Sequence, residues 1–272
     1  MKKQIAQVGE YPYTTIEPNV GVVEVFDERL EKISKATKIE KIVPAAIKFI
    51  DIAGLIRGAH KGEGLGNQFL AKIREVDVIV HVVRVFENPN VEHVAGKIDP
   101  EADVEIVNDE LFKAEIDKPA LYVLNVSEGN LNQDFDVAFP YIKVCAKLEA
   151  ELSELSEKEQ KAYLEELGVE KTGLDQVISE SFKLLDLITF FTVARGKQAQ
   201  AWPIKTGKTA IETAEIVHSD FVKGFIVAEI VGWQDLVDSG SWHNAKEKGL
   251  VKTAGRDEII EDGQVVEFKF AQ

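Results

Sequence analysis

The sequence predicts an α/β protein with a mainly parallel sheet, followed by a smaller α+β domain. Short apolar runs rich in β-branched residues recur up to about residue 187, and helical stretches separate them. This alternation is typical of a parallel sheet covered by helices on both faces. After residue 188 the apolar segments alternate only partly with polar residues, as strands of a half-exposed sheet do. We therefore predict two domains, at 1–188 and 189–272.

The predicted elements follow the chain in order. In the first domain, strands are predicted at 5–8, 20–25, 47–51, 77–84, 120–125 and 141–145, with helices at 28–38, 67–75, 103–116, 149–166 and 174–187. In the second domain, strands are predicted at 190–193, 199–204, 225–230 and 265–270, with one helix at 209–217. Because ligands of parallel sheets bind at the carboxyl ends of the strands, polar residues at those ends are candidates for a site.

Composition narrows the functional classes. The chain has 272 residues, a hydrophobic content of 45% and a net charge of −15, which argues against a nucleic-acid surface spread over the whole protein. The single cysteine, Cys145, excludes an intrachain disulfide and fits a reducing compartment. Because no apolar run reaches membrane-spanning length and the N-terminus lacks a signal-peptide core, we expect a soluble cytoplasmic protein.

A carboxylate ends the strand predicted at 47–51. Asp51 is followed three residues later by Gly54, and the loop after it contains four more glycines up to residue 66. P-loop nucleotidases use this D-x-x-G pattern to bring a carboxylate to Mg²⁺ and a backbone N–H to the γ-phosphate, which glycine lets the chain approach closely. The pattern alone is weak evidence, because Asp and Gly are also common at turns.

A threonine and an asparagine add to this pattern. Thr15 lies in the segment 11–19, between the first strand and Asp51, where its hydroxyl could ligate Mg²⁺ or simply belong to a turn. Asn125 ends the strand at 120–125, where GTPases carry N-K-x-D and the asparagine orients the loop that binds the base. An asparagine that only caps the end of a strand would give the same sequence pattern. Both interpretations of Asn125 therefore stay open here.

The residues after Asn125 bear on the choice of base. Val126 replaces the lysine of N-K-x-D and Glu128 replaces its aspartate, which weakens the basis for guanine selectivity. Adenine then becomes a plausible base, through backbone groups near Val126. After the strand at 141–145, Cys145 and Ala146 occupy the position of a loop that packs on the base.

The phosphate-binding motif of a P-loop nucleotidase is absent from the sequence. The pattern G-x-x-x-x-G-K-[ST] should follow the first strand, but Gly9 leads directly into Glu10. The G-K-T at 207–209 lacks the first glycine, since Trp202 occupies that position, and it is interpreted as a turn into a helix. His81 lies in an apolar strand and is interpreted as a core residue with satisfied hydrogen bonds, and no Cys/His metal spacing exists.

Taken together, the motifs resemble those of the YchF / Obg-like ATPase family over nearly the whole chain. The matching segments are YPYTTIEPN at 11–19, DIAGL at 51–55, KGEGLGN at 61–67, HVVR at 81–84, HVAGKIDP at 93–100, NVSE at 125–128, HSDFVKGFI at 218–226 and DGQVVEFKF at 262–270. The resemblance implies a Ras-like P-loop nucleotidase domain of OBG type at 1–188, a coiled-coil insertion, and a C-terminal TGS domain of β-grasp type at 189–272.

The resemblance also implies an activity and its partners. It implies Mg²⁺-dependent hydrolysis of ATP, with GTP also accepted, and association with the ribosome, without membrane or direct DNA binding. Leu55 stands where Ras-type enzymes have a water-orienting glutamine, so slow turnover, raised by K⁺ or by a ribosomal partner, is expected. By position, the implied metal ligands are Thr15 and Asp51, and the implied nucleotide-binding residues are Gly54, Asn125, Val126, Glu128, Cys145 and Ala146.

Two departures from the family leave alternatives open. The P-loop is missing between Gly9 and Glu10, and the coiled coil is missing near 116–117. Either the protein lacks both segments, or this sequence joins parts of a longer natural chain, and an intact mass of 30.2 kDa would indicate the former. The alternative functions are an Obg-related GTPase and a non-catalytic ribosome-binding module. Candidates for a local basic patch that contacts the ribosome are Lys197, Lys205 and Lys208.

Overall fold

A computed structural model describes residues 19–52, 65–93, 95–169, 171–194 and 197–271. The strands are β1 Asn19–Val25, β2 Ile42–Val43, β3 Ala45–Asp51, β4 Ile79–Arg84, β5 Ala120–Asn125, β6 Tyr141–Val144, β7 Leu187–Ala194, β8 Gln198–Lys205, β9 Phe225–Gly232, β10 Lys252–Ala254 and β11 Gln264–Phe270. The helices are α1 Glu28–Thr37, α2 Leu65–Glu75, α3 Pro100–Lys113, α4 Ala146–Glu154, α5 Glu157–Glu166, α6 Gly173–Leu184, α7 Ala210–Val217, α8 Ser219–Lys223, α9 Trp233–Ser239 and α10 Trp242–Glu247.

The chain divides into two compact units. The first unit comprises Met1–Val23 and Lys48–Leu185, and the second comprises Glu24–Ile47 and Asp186–Gln272. The strand predicted at 5–8 lies outside the described residues. Within those residues, no helix is long and apolar enough to cross a membrane.

The first unit contains a parallel sheet with the strand order β4-β5-β6. Successive side chains of β5 contact opposite faces of this sheet. Val123 packs with Val177 of α6, whereas Leu124 packs with Leu148 of α4. Both faces of the sheet are therefore covered by helices, as its continuous apolar strands predict.

The second unit is built on a six-stranded mixed sheet with the order β10-β9-β11-β7-β8-β2. Neighbouring residues of β7 again contact opposite faces. Phe191 is buried with Ile33 of α1 and with α9 and α10, whereas Phe190 is buried with Ala210 and Ala214 of α7. Both phenylalanines are fully buried. The sheet of the second unit therefore also lies between two layers of helices.

The second unit corrects the prediction of a single helix across the C-terminal sheet. In addition to α7, the structure contains α8, α9 and α10 in this part of the chain. Helices α9 and α10 have only 7 and 6 residues, and Gly240 in the left-handed region ends α9. Helices of two turns or fewer are too short to show a 3.6-residue hydrophobic period, which is why the sequence pattern missed them.

The boundaries of the compact units differ from those of the predicted domains at residues 24–47. This segment, which contains α1, β2 and the first residues of β3, was included in the predicted domain 1–188, but it belongs to the second unit. Strand β2 pairs with β8, and Leu30 and Ile33 of α1 are buried in the same cluster as Ala199 and Ala201 of β8. The small side chains of β8 leave room for α1 on this face. As a domain boundary, residue 188 stays a prediction.

Candidate functional site

The carboxyl ends of β5 and β6 lie side by side in the first unit. The parallel register puts Asn125 opposite Val144, so the loops that follow the two strands leave the same edge of the sheet. The side-chain Oδ1 of Asn125 accepts a hydrogen bond of 3.1 Å from the backbone N–H of Ala146. The structure thus brings together two predicted site residues that are 21 positions apart in the chain.

Val126 contributes to this edge through its backbone rather than its side chain. Its side chain is only 2% exposed and belongs to the core beneath the loop. Its N–H donates to the carbonyl oxygen of Val144 at 2.8 Å. A base at this edge could therefore meet the carbonyl of Val126, an acceptor suited to the exocyclic amino group of adenine.

Glu128 is held by a residue that the sequence analysis did not identify. Glu128 begins a short 3-10 turn, and its Oε1 accepts a hydrogen bond of 3.4 Å from the Tyr163 hydroxyl of α5. The negative charge of Glu128 raises the pKa of the Tyr163 hydroxyl above its ordinary value. No local motif points to Tyr163, because it is the one aromatic residue of a charged helix that is 35 positions away from Glu128.

Cys145 and Ala146 have different environments. The Cys145 thiol is free and buried in the cluster that contains Leu148, so it does not reach solvent. Ala146 is exposed, and it is the first residue of α4. Of these two predicted site residues, Ala146 is therefore the one that a ligand at this edge could touch.

Asp51 is exposed at the end of β3, whereas Thr15 and Gly54, the other predicted phosphate and metal residues, lie outside the described residues. Among the residues that the structure describes, no three His, Cys, Asp or Glu side chains form a metal-binding group. Mg²⁺ is often bound by only one or two carboxylates, with phosphates and waters as its other ligands. Asp51 supplies a suitable oxygen donor for such a site.

The G-K-T segment and His81 lie outside the polar edge. The G-K-T segment is a turn, as predicted: Gly207 has a φ of 84°, and Thr209 caps α7. The prediction that His81 is a core residue with satisfied hydrogen bonds was wrong, because its Nδ1 is buried without a hydrogen-bond partner among the described residues. Burial lowers the pKa of His81 below its ordinary value of 6.5, so the imidazole is neutral at pH 7.

Comparison with known proteins identifies the class of protein that each of the two matched parts of the chain resembles. Residues 1–126 match a family model described as a 50S ribosome-binding GTPase, and residues 187–271 match the YchF-GTPase_C model, described as a protein of unknown function. The structure is similar to that of the Schizosaccharomyces pombe YchF GTPase, with a TM-score of 0.80 and 28% identity over 98% of this chain and 92% of that one. These matches define a GTPase-type nucleotide-binding protein with a separate C-terminal domain, which confirms the predicted fold class.

The full-length relatives narrow this class to one family. A protein of Bacillus subtilis named ribosome-binding ATPase YchF is 38% identical, and the alignment covers 97% of this chain and 92% of the relative. Proteins of the same name from Haemophilus influenzae and Escherichia coli O157:H7 are 36% and 35% identical, with the same coverage. This chain belongs to the YchF family.

The alignments also bear on the two missing segments. The alignment with the Bacillus subtilis relative is 339 residues long, and this chain has 272, so at least 67 aligned positions have no counterpart here. Both ends of the alignment lie within the two proteins, so this deficit is internal to the aligned region. The deficit agrees with the absence from the sequence of a P-loop and of a coiled coil.

Proposed function

We propose that this chain is a cytoplasmic protein that binds and hydrolyses ATP with Mg²⁺ and associates with the ribosome. The observation that carries the nucleotide site is the hydrogen bond between Asn125 and Ala146, which fixes the two loops at the end of the parallel sheet. Curated relatives that align with 97% of this chain are named ribosome-binding ATPases. The same name supports the ribosome as a partner and the cytoplasm as the location.

The base loop favours adenine over guanine. GTPases hold guanine with an aspartate at the position of Glu128, but here the longer carboxylate is engaged by Tyr163. The backbone carbonyl of Val126 is an acceptor, which complements the amino group of adenine and repels the carbonyl of guanine. An Obg-related GTPase is the alternative, and it would require Glu128 to leave Tyr163 and meet the guanine edge.

Mg²⁺ would be held by Asp51 together with the phosphates, and by Thr15 as the resemblance implies. When bound, such an ion supplies positive charge that stabilises the phosphate oxygens. The role of Gly54 at the γ-phosphate and a stimulating effect of K⁺ belong to the same proposal. Because the sequence contains no P-loop lysine, we expect affinity for the triphosphate to be low and hydrolysis to be slow.

The missing P-loop favours a second candidate function, a ribosome-binding module without catalysis. The two candidates differ in one measurable property, which is Mg²⁺-dependent nucleotide binding. They agree on the ribosome, for which Lys197 and Lys205 are exposed candidate contacts, while Lys208 donates to Glu212 at 2.6 Å. We place the ribosome contact at local basic residues because the net charge of the chain is −15.

Fluorescent ATP and GTP analogues, titrated with Mg²⁺ and with chelator, test the proposal on a chain of verified 30.2 kDa mass. ATP should bind more tightly than GTP, Mg²⁺ should strengthen binding, and D51N should abolish the Mg²⁺ effect. The matched control is D109N, which changes an exposed carboxylate on α3. Tighter binding of GTP would favour the Obg-related GTPase. Sedimentation with ribosomes but without Mg²⁺-dependent binding would favour the non-catalytic module.

A further inference from the structure

A groove of about 480 Å³ lies in the first unit, between α3 and the loop that precedes β6. The exposed surface that lines it is mainly apolar. The lining residues that matter below are Glu101, Val104, Glu105 and Phe112 of the helix, and Ala138 and Phe139 of the loop. None of them takes part in the proposed nucleotide site, so that site does not account for the groove.

Phe112 is the residue of the groove that packing within the first unit does not explain. Its side chain is 82% exposed, the largest value among the large apolar side chains that the structure describes. By contrast, Leu111 and Val104 of the same helix are buried in the core. Phe112 shares the groove with the partly buried Phe139. Apolar surface of this kind, bordered by polar residues, marks sites of interaction with other proteins.

Carboxylates border this apolar surface. Glu101 and Glu105 are exposed, and they lie one helical turn apart on the stripe of α3 that lines the groove. Glu101 accepts a hydrogen bond of 2.9 Å from the backbone N–H of Ala138, a neutral donor that leaves the charge uncompensated. A third carboxylate, Asp109, pairs with Lys113 and adds little charge. No lysine or arginine is among the described residues that line the groove, so its rim is negative.

The charge of the rim restricts the chemistry of a partner. It disfavours RNA, whose phosphates the carboxylates repel, and it disfavours a second copy of this chain, whose net charge is −15. A positively charged protein segment is complementary to it. Arginine suits the groove best, because its guanidinium group pairs with a carboxylate and also stacks on an aromatic ring. Proteins that bind the phosphates of ribosomal RNA are rich in such residues.

We propose that this groove docks an arginine-rich helix of a ribosomal protein, which covers Phe112 and pairs its arginines with Glu101 and Glu105. The two carboxylates are about 6 Å apart along α3, which matches basic residues spaced by one turn on a docked helix. The inference rests on the proposed association with the ribosome and names a surface that makes the contact. It adds a protein contact in the first unit to the basic residues proposed in the second.

Photo-crosslinking tests which molecule covers the groove. The full chain, with the photoreactive residue p-benzoylphenylalanine in place of Phe112, is irradiated with purified ribosomes, and the cross-linked peptides are identified by mass spectrometry. The expected product joins position 112 to an arginine-rich segment of one ribosomal protein, and an excess of the unmodified chain should compete it away. The matched control carries the same photoreactive residue in place of Phe26, which is 71% exposed in the second unit and should not give this product.

Sedimentation with ribosomes measures the contribution of the groove to affinity. F112A removes the aromatic surface and E105R reverses one charge of the rim, so each should weaken binding about tenfold. E105Q, which only removes the charge, should have a smaller effect than E105R. Both side chains are exposed, so the fold should be retained, and circular dichroism checks this. The matched controls are F26A and E258R, which change an exposed phenylalanine and an exposed glutamate of the second unit.

Several results would overturn the inference. A cross-link from position 112 to ribosomal RNA, to a second copy of the chain or to another part of the same chain would identify a different occupant. The absence of any cross-link, or unchanged affinity in both F112A and E105R, would mean that the groove is not a ribosome contact although the unmodified chain sediments. If the unmodified chain does not sediment with ribosomes, the proposed association itself fails, and this inference fails with it. The sedimentation of the unmodified chain therefore distinguishes the two failures.

Discussion

The polar edge of the first unit and the Glu229–Glu267 pair of the second unit differ in the groups that compensate their polar side chains. At the edge, Asn125 accepts from Ala146, and Glu128 accepts from Tyr163. In the second unit, Lys246 donates to Glu229, and Lys269 lies within ion-pair distance of both Glu229 and Glu267. The edge is therefore held by neutral donors, whereas the carboxylates of the second unit are held by cations. If a nucleotide binds at the edge, the hydrogen bonds already present there reduce the cost of binding.

The two units also differ in how their sheets are completed along the chain. The parallel sheet of the first unit is formed within 79–144, whereas the second unit adds the distant segment Glu24–Ile47 to strands that begin at residue 187. All three tryptophans, at 202, 233 and 242, belong to the second unit. Tryptophan fluorescence therefore reports the unfolding of that unit alone, so the stabilities of the two units can be measured separately.

The largest expected effect comes from Ile33 of α1. Its side chain is fully buried in the core of the second unit, so I33A should destabilise that unit by about 2–5 kcal/mol through lost burial and a cavity. The midpoint of the tryptophan transition in urea should fall. The matched variant L124A creates a similar cavity in the core of the first unit.

L124A should lower the transition measured by far-ultraviolet circular dichroism while the tryptophan transition stays near its original midpoint. Equal shifts of the tryptophan signal in I33A and L124A would mean that the two units unfold together. An I33A protein with an unchanged tryptophan transition would contradict the assignment of α1 to the second unit. Either result would remove the basis of the comparison between the units.

The role of α1 shows where sequence patterns were sufficient for the fold and where they were not. The apolar periods of α1 and of the strands are local, and the structure has these elements within a few residues of their predicted bounds. The partner of the apolar face of α1 is not a local property. Ile33 packs against Phe191 more than 150 positions later, and nothing in the pattern of residues 28–38 specifies that contact.

The residues of the candidate site also divide into those that a local pattern predicts and those that depend on tertiary contacts. Asn125 could be predicted because a polar residue at the end of an apolar strand is a local signal, and its bond to Ala146 follows from parallel neighbouring strands. Tyr163 could not be predicted, because its contact with Glu128 depends on how α5 packs on the loop. The pairing of Glu229 with Glu267 required the register of β9 and β11, which neither strand specifies alone.

A smaller effect is expected from Asn125. N125A removes its hydrogen bond to the Ala146 N–H, which should cost about 1 kcal/mol of stability in the first unit. If the edge is organised for a base, ATP affinity should fall by roughly three- to tenfold, because a loss of about 1.4 kcal/mol corresponds to a factor of ten. Equilibrium titration with a fluorescent ATP analogue measures the change.

N130A is the control for N125A, since Asn130 lies in the neighbouring 3-10 turn. If N125A binds ATP with the affinity of the unmodified protein, the edge is not organised for a nucleotide.

The smallest expected effect compares two capping boxes, one in each unit. Glu159 of α5 accepts from the backbone N–H and hydroxyl of Ser156, and Glu212 of α7 accepts in the same way from Thr209. Glu212 has an additional donor, Lys208, at 2.6 Å. Lys208 is the main reason that the pKa of Glu212 falls from 4.5 to about 2, while Ser156 lowers the pKa of Glu159.

Glu159 is exposed and Glu212 is partly exposed, so their contributions to stability are small and weakened by salt. Because its pKa is lower in the folded state, Glu212 stabilises the second unit fully above about pH 4.5, and this stabilisation is lost as the pH falls towards 2. Carboxyl NMR titration should show Glu212 protonating at lower pH than Glu159, and K208A should bring the two values together. If the two glutamates titrate together in the unmodified protein, Lys208 does not hold Glu212. The partly exposed Lys208 would then be free to serve as a ribosome contact, which the bond to Glu212 otherwise disfavours.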